Sequence, residues 1–127
     1  EHVEFLSIGT NDLAQYTMAA DRMSSDLATL TDPWQPGVLA LVAATARAGA
    51  AVGKPVGVCG EAAADPMMAC VLTGFGVTSL SAAASAVTPV GAKLATVTLQ
   101  QCRDAADAVL ATATPAQARE AAMAVLG

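Results

Sequence analysis

Short apolar runs recur along the chain, and each is followed by a segment whose apolar residues have helical spacing. The runs at 3–8, 55–59 and 78–82 have the length and composition of β-strands. Apolar residues three or four positions apart predict helices at 13–20, 38–52, 66–73, 89–97, 99–113 and 115–127. Because strands and helices alternate before the last helices, the order predicts an α/β fold with parallel strands.

Cap and turn residues mark the ends of several of these elements. Thr10 and Asn11 precede the first helix and are predicted to cap it. Pro66 and Pro115 stand where helices begin, which is a position that proline favours. A polar connection with two prolines, at 21–37, separates the first two helices.

The predicted strands are apolar throughout, which is typical of parallel strands covered on both faces. Three strands are few for a self-sufficient parallel sheet, and the open edges of such a sheet invite pairing. We therefore expect a piece of a larger α/β domain, or a second chain that supplies the missing strands. Either case predicts self-association or a partner.

Composition narrows the classes of function. Hydrophobic residues make up 54% of the chain, and the formal net charge is −5 with six scattered basic residues. This balance gives little electrostatic support for binding nucleic acid or an anionic membrane. No long apolar span and no signal-peptide layout are present, so a cytoplasmic location is expected. The three cysteines show no CxxC spacing, which argues against a disulfide framework.

Candidate chemistry lies where the predicted strands end, at 9–12, 59–65 and 81–85. Ligand sites in parallel α/β folds gather at the carboxyl ends of the strands. Two interpretations of Asp12 stay open: a ligand for Mg²⁺, or a charge that stabilises the helix N-terminus. Asn11 either binds a ligand oxygen or caps the helix.

Two further residues also carry more than one interpretation. Arg22 either holds an anion with its guanidinium group or forms an ion pair with Asp21 or Asp26. Cys59 either donates a proton or acts as a nucleophile, or it is a small buried core residue. Glu61 is interpreted as structural, and Cys70 and Cys102 are predicted to lie in the helical core.

Two long segments resemble a known family. "SIGTNDLAQYTMAADR" (7–22) and "GVCGEAAADP" (57–66) look like the C-terminal, phosphoenolpyruvate-binding part of enzyme I of the bacterial sugar phosphotransferase system, the phosphoenolpyruvate–protein phosphotransferase. The intervening "DPWQPGVLALVAATARAGAAVGKP" is similar to that family's segment between the two motifs. The similarity runs nearly end to end.

The resemblance implies that residues 1–127 are the last three or so β/α units, with terminal helices, of a (β/α)₈ barrel. It implies a transferase in which phosphoenolpyruvate, bound with Mg²⁺, gives its phosphoryl group to a histidine on a separate N-terminal domain. That histidine passes the group to the histidine-containing phosphocarrier protein. The N-terminal domain and the upstream barrel strands are not in the sequence, and homodimerisation or other self-association is expected.

The family's roles carry over residue by residue. Asp12 matches the Mg²⁺ ligand, and its backbone, with Asn11, contacts phosphoenolpyruvate. Arg22 matches a substrate-binding arginine. Cys59 matches the proton donor to the enolate carbon when pyruvate forms.

The chain also departs from the family pattern. It lacks the phosphoacceptor histidine, since His2 lies outside any such motif, and "SLSAAAS" (79–85) stands where the family has a sequence like "SMSA". Two other hypotheses stay open. One is a part of a pyruvate,phosphate dikinase or phosphoenolpyruvate synthase, which have related barrels. The other is a non-catalytic, associating piece, and we expect the isolated chain to be inactive.

Overall fold

The computed structural model describes residues 2–127, and it consists of a small parallel sheet with helices between and after its strands. Residues 25–27 add one turn of 3₁₀ helix in the connection after the first helix. No helix within the described part of the chain is long and apolar enough to cross a membrane. The elements are β1 (Leu6–Gly9), α1 (Thr10–Met18), α2 (Pro36–Ala51), β2 (Val56–Cys59), α3 (Glu61–Ala64), α4 (Pro66–Phe75), β3 (Ser79–Ser81), α5 (Ala84–Leu94), α6 (Leu99–Leu110) and α7 (Pro115–Leu126).

The sheet has the order β1-β2-β3, and both strand pairs are parallel. Gly9 is opposite Cys59, and Cys59 is opposite Ser81, so all three strands end at the same level. This confirms the prediction of an α/β fold with parallel strands. It also places the three segments that follow the strands at one edge of the sheet.

The two faces of the sheet differ in chemistry. Val56 and Val58 on β2 are fully buried, and Ile8 and Leu80 pack against the same helical core. Because side chains alternate across a strand, the opposite face carries small residues, namely Ser7, Gly57, Cys59, Ser79 and Ser81. The prediction that the strands are apolar throughout is therefore wrong. Only one face packs on helices, and that face alone requires apolar side chains.

Small side chains allow the helices of the core to approach closely. The five residues 68–72 of α4 are buried, and α4 packs against α6, which in turn packs against α7. Gly74 stands where α4 crosses α6, and a Cβ placed on it would overlap the backbone carbonyl of Cys102. The core depends on backbone proximity at this crossing because alanine and glycine bury little area of their own.

Side-chain caps define where three of the helices begin. Asp65 accepts hydrogen bonds from the backbone N–H groups of Met67 and Met68 at the start of α4. Thr98 and Gln101 form a reciprocal capping box at α6. Thr114 caps α7 immediately before Pro115, as proline at the first helical position favours.

Several predicted boundaries need correction. Helix α1 begins at Thr10 rather than residue 13 and stops at Met18, where Ala19 adopts a left-handed conformation with φ of 50°. The turn of helix α3 was not predicted, because 59–65 has no apolar periodicity. Helix α5 begins at Ala84 instead of Pro89. Pro89 removes only the hydrogen bond to the carbonyl of Ser85, which lies on an exposed stretch of the helix, so the helix continues through it.

Two glycines in helices provide a matched test of the α4–α6 crossing. Gly74→Ala should lower the free energy of unfolding by about 1–3 kcal/mol or more, because the added methyl group forces the two helices apart. Gly91→Ala in α5 should raise it by up to about 1 kcal/mol, since nothing lies within 4 Å of the new atom and alanine favours helices. Urea unfolding of both variants measures the two effects, and equal stability of the variants would contradict the close crossing.

Candidate functional site

The carboxyl ends of β1 and β2 are joined by a buried side chain. The hydroxyl group of Thr10 donates a hydrogen bond of 3.2 Å to the carbonyl oxygen of Cys59, and Thr10 is only 2% exposed. The prediction that Thr10 and Asn11 cap α1 is wrong: Gly9 is the N-cap residue, and no side chain caps this helix. Both residues lie inside the first turn, which frees the Asn11 side chain for other contacts.

Gly60 shapes the turn that leaves β2. Its backbone has φ of 103° and ψ of −161°, a conformation that only glycine adopts readily. A Cβ at this position would lie 3.2 Å from Oγ1 of Thr10 and 3.4 Å from Oδ1 of Asn11. The Gly60 N–H group donates to the carbonyl oxygen of Ser81 at 3.3 Å. Glycine therefore lets the ends of all three strands come together beside Asn11.

Two clefts meet at Asn11. The strand-end cleft is lined by Asn11, Gly60, Glu61, Ala64 and Ser81, with Ala82 and Ala83. The arginine cleft is lined by Asn11, Arg22, Met23, Thr31 and Glu61. The structure thus brings Asn11 and Arg22, two of the predicted substrate-binding residues, to one cleft.

The Arg22 side chain is exposed, and its backbone N–H donates to Oε1 of Gln15 at 3.1 Å. The alternative in which Arg22 pairs with Asp21 or Asp26 is wrong, because the only salt bridge within residues 2–127 joins Arg119 to Asp32. The Asp21 carboxylate instead accepts from the backbone N–H of Met23. The guanidinium group of Arg22 is therefore available to a ligand.

Asp12 lies in the first turn of α1, one residue beyond Asn11, and its side chain is exposed. Oδ1 accepts a long hydrogen bond of 3.5 Å from Gln15, and Oδ2 lies beside Gly9. Asp12 does not line either cleft. No group of three or more His, Cys, Asp and Glu side chains suited to a metal ion occurs among residues 2–127. A cation held by Asp12 would therefore need most of its ligands from a bound molecule and water.

Cys59 is the last residue of β2 and is half-buried. Its thiol donates to the carbonyl oxygen of Ile8 at 3.5 Å, across the β1–β2 pair. It lies outside the helical core cluster, on the face of the sheet with small residues. Its position differs from that of a buried packing thiol and leaves the sulfur next to the strand ends.

The other two cysteines are core residues, as predicted. Cys70 and Cys102 are fully buried where α4 packs on α6. Burial raises the pKa of the Cys70 thiol to about 11, with a further contribution from neighbouring Cys102. Burial also raises the pKa of Cys102.

Sequence reasoning missed the position of Glu61. We interpreted it as structural, but its exposed side chain lines both clefts and has no salt bridge to any of residues 2–127. The signal that could have found it is its place directly after the Gly60 turn, where the first residue of α3 must face the strand ends. Gln15 was also missed, since its contacts with Asp12 and Arg22 depend on how the connection folds back on α1.

Comparison with known proteins identifies the family to which the chain belongs. Residues 1–99 match the family model of the phosphoenolpyruvate-binding domain of phosphoenolpyruvate-utilising enzymes, and the chain belongs to this family. The resemblance that we inferred from 7–22 and 57–66 is thereby confirmed.

Two of three similar relatives share one name, and the third is a multiphosphoryl transfer protein. The chain is 62% identical over 108 residues to the phosphoenolpyruvate-protein phosphotransferase of Streptomyces coelicolor, an alignment that covers 85% of this chain and 19% of the relative. It is 40% identical over 101 residues to the protein of the same name in Bacillus subtilis, covering 80% of this chain and 18% of the relative. It is 45% identical over 106 residues to a multiphosphoryl transfer protein of Rhodobacter capsulatus, covering 84% and 13%. The chain thus spans about a fifth or less of the length of these relatives.

The three cysteines should differ in reactivity toward iodoacetamide. At pH 8 we expect Cys59 to be alkylated first, because Cys70 and Cys102 are buried and their raised pKa values keep them protonated. Peptide mass spectrometry of the folded protein measures the order, and in 6 M urea all three should react. Labelling of Cys70 or Cys102 as fast as Cys59 in the folded protein would contradict the structure.

Proposed function

We propose that this chain is the phosphoenolpyruvate-binding part of a phosphoenolpyruvate–protein phosphotransferase. The observation that carries the proposal is that Asn11 and Arg22 line one cleft, and that Asn11 lies just beyond Gly9, the residue opposite Cys59 at the strand ends. Cys59 itself lines neither cleft. The names of relatives up to 62% identical to the chain support the same reaction. In this proposal the phosphoryl group moves to a histidine on another domain of the full-length protein, and pyruvate is released.

Arg22 and Asn11 would bind the substrate anion. A guanidinium group offers a fork of N–H donors that matches phosphate or carboxylate oxygens, and the Asn11 amide can donate to a further oxygen. Glu61 lines the same cleft with a negative charge. A trianionic ligand beside this carboxylate requires additional positive charge, which favours binding together with a cation.

Asp12 would hold that cation, Mg²⁺. Magnesium in phosphoryl-transfer sites is typically bound by one or two carboxylates together with phosphate oxygens and water, and Asp12 can supply one such carboxylate. When bound, Mg²⁺ neutralises charge on the phosphoryl group during transfer. Asp12 accepts only one long hydrogen bond, from Gln15, so its oxygens are available for this role.

Cys59 would protonate the enolate. Transfer breaks the bond between phosphorus and the enol oxygen, and the electron pair of that bond stays on the enolate of pyruvate. The S–H proton of Cys59 then moves to the methylene carbon, which gives pyruvate, and water returns a proton to the thiolate. The long bond from the thiol to the Ile8 carbonyl orients the sulfur without burying it.

The same proposal explains the open sheet. Within residues 2–127 the outer edges of β1 and β3 have no strand partner, and the face with small residues carries no helix layer. We propose that these strands are three of the eight in a (β/α)₈ barrel whose other strands belong to the full-length protein. We further propose that the phosphocarrier protein is the eventual acceptor, that the full-length protein self-associates, and that the isolated 127-residue chain is inactive.

The principal experiment is Cys59→Ala in the full-length protein. Loss of a positioned proton donor should slow pyruvate formation from phosphoenolpyruvate by roughly 10²–10⁴-fold. Cys102→Ala is the control, because it removes a thiol that lies in the helical core, and circular dichroism checks that both variants fold. Pyruvate release at the wild-type rate in Cys59→Ala would return Cys59 to a packing role.

A second experiment tests the metal ligand. Asp12→Asn keeps the size of the side chain and removes its charge, so we expect Mg²⁺ affinity in the presence of phosphoenolpyruvate to fall by about tenfold or more, since losing even a partner that only hydrogen-bonds to a metal ligand costs that much. Asp26→Asn, in the exposed 3₁₀ turn, should leave the affinity unchanged. A calorimetric Mg²⁺ titration that is identical for Asp12→Asn and the wild type would count against the assignment.

A further inference from the structure

The last helix is tied to the connection between α1 and α2 by an ion pair. Nη2 of Arg119 lies 2.7 Å from both carboxylate oxygens of Asp32, which is 87 residues away in sequence. The Arg119 side chain is 47% exposed and that of Asp32 is 21% exposed. Such a pair is worth little alone, because water screens it. The contacts that Asp32 and Arg119 also make with Trp34 add to its contribution.

A buried tryptophan stands behind the ion pair. Trp34 is 2% exposed, and its backbone N–H donates to Oδ1 of Asp32 at 2.9 Å. The guanidinium carbon of Arg119 lies 5.8 Å from the centre of the Trp34 ring, within the range of a cation–π contact. Arg119 therefore contacts the carboxylate and the ring of the same short segment.

Asp65 connects this tryptophan to the 57–66 motif, which runs from β2 into α4. Its Oδ2 accepts a hydrogen bond of 3.1 Å from the indole N–H of Trp34. Its Oδ1 accepts from the backbone N–H groups of Met67 and Met68 at the start of α4. We call Asp32, Trp34, Asp65 and Arg119 the clamp.

The clamp fixes one wall of the arginine cleft. That wall comes from the connection between α1 and α2, which has one 3₁₀ turn and otherwise no regular structure. Thr31, which lines the cleft, directly precedes Asp32 of the clamp, and Arg22 and Met23 lie at the other end of the connection. At that end the backbone is held by the hydrogen bond from Arg22 to Gln15. The clamp anchors the other end, where Gln35 also donates a hydrogen bond of 3.0 Å to the carbonyl oxygen of Thr29.

We propose that Arg119 is a positioning residue, which orders the 22–31 segment and so holds Arg22 at the cleft. The predicted effect of Arg119 on substrate binding rests on the proposed function. Its predicted effect on the order of the 22–31 segment rests on geometry alone. When only a fraction of the molecules has the binding-competent arrangement, the apparent Kd equals the intrinsic Kd divided by that fraction. Loss of the clamp should thus raise KM and leave kcat nearly unchanged.

The test compares Arg119→Gln with Arg119→Lys and with the control Arg103→Gln in the full-length protein. Arg103 is an exposed arginine on α6 that has no salt bridge among residues 2–127. In Arg119→Gln, we expect amide hydrogen exchange in the 22–31 segment to become about threefold to tenfold faster. KM for phosphoenolpyruvate should rise by about twofold up to the same factor, because it varies inversely with the ordered fraction. Arg119→Lys keeps the charge without the planar fork and should rescue part of both effects.

Each outcome decides the proposal. Unchanged exchange in Arg119→Gln overturns the clamp, and faster exchange with unchanged KM overturns its positioning role. Equal effects of Arg103→Gln would also overturn it, because the effects would then come from lost surface charge. A wild-type protein that does not consume phosphoenolpyruvate would contradict the proposed function instead. The exchange comparison would still support or overturn the ordering of 22–31 by Arg119.

Discussion

The parallel register of the three strands is the constraint on which the site depends. Hydrogen bonding between neighbouring backbones sets Gly9, Cys59 and Ser81 side by side, so the segments that follow them meet at one edge of the sheet. A shift of one residue in this register would turn Cys59 toward the helices and Val58 toward the bare face. The buried bond from Thr10 to the Cys59 carbonyl and the glycine conformation of Gly60 strengthen the same alignment.

The core that supports this edge is built from small side chains. Helix α4 lies at its centre with five of its ten residues buried, and α6 and α7 form layers outside it. Because alanine contributes little area, the packing depends on close backbone contact and on long-range polar ties. The Asp65 carboxylate provides one such tie, because it caps the start of α4 and also accepts a hydrogen bond from the indole N–H of Trp34.

Patterns along the chain predicted most of the elements, because apolar spacing and proline positions act locally. The strands at 55–59 and 78–82 and the helices at 38–52, 66–73 and 115–127 lie close to their predicted positions, whereas the first strand, predicted at 3–8, lies at 6–9. The short helix after Gly60 and the passage of α5 through Pro89 were missed, since backbone conformation and solvent exposure decide them. The strand faces were misread because the small residues Ser7, Gly57 and Ser79 interrupt the apolar runs only at alternate positions.

The candidate site divides in the same way. Asn11, Asp12, Arg22 and Cys59 are predicted as site residues because they occur in two continuous motifs that resemble the family, and their roles stay predictions. The contribution of Glu61 and the tie from Arg119 to Asp32 were not predicted. They depend on tertiary geometry, and the two partners of the ion pair are 87 residues apart. Local sequence carries no signal for a contact of that kind.

Calorimetric binding of phosphoenolpyruvate to the full-length protein, with Mg²⁺ present, tests the central claim most directly. If the strand-end edge is the substrate site, Arg22→Gln should weaken binding by about tenfold or more, because a charged hydrogen bond to the anion is lost. Arg47→Gln, on the exposed surface of α2, should bind as the wild type does. Equal affinity of Arg22→Gln and the wild type would contradict a substrate site at this edge of the sheet.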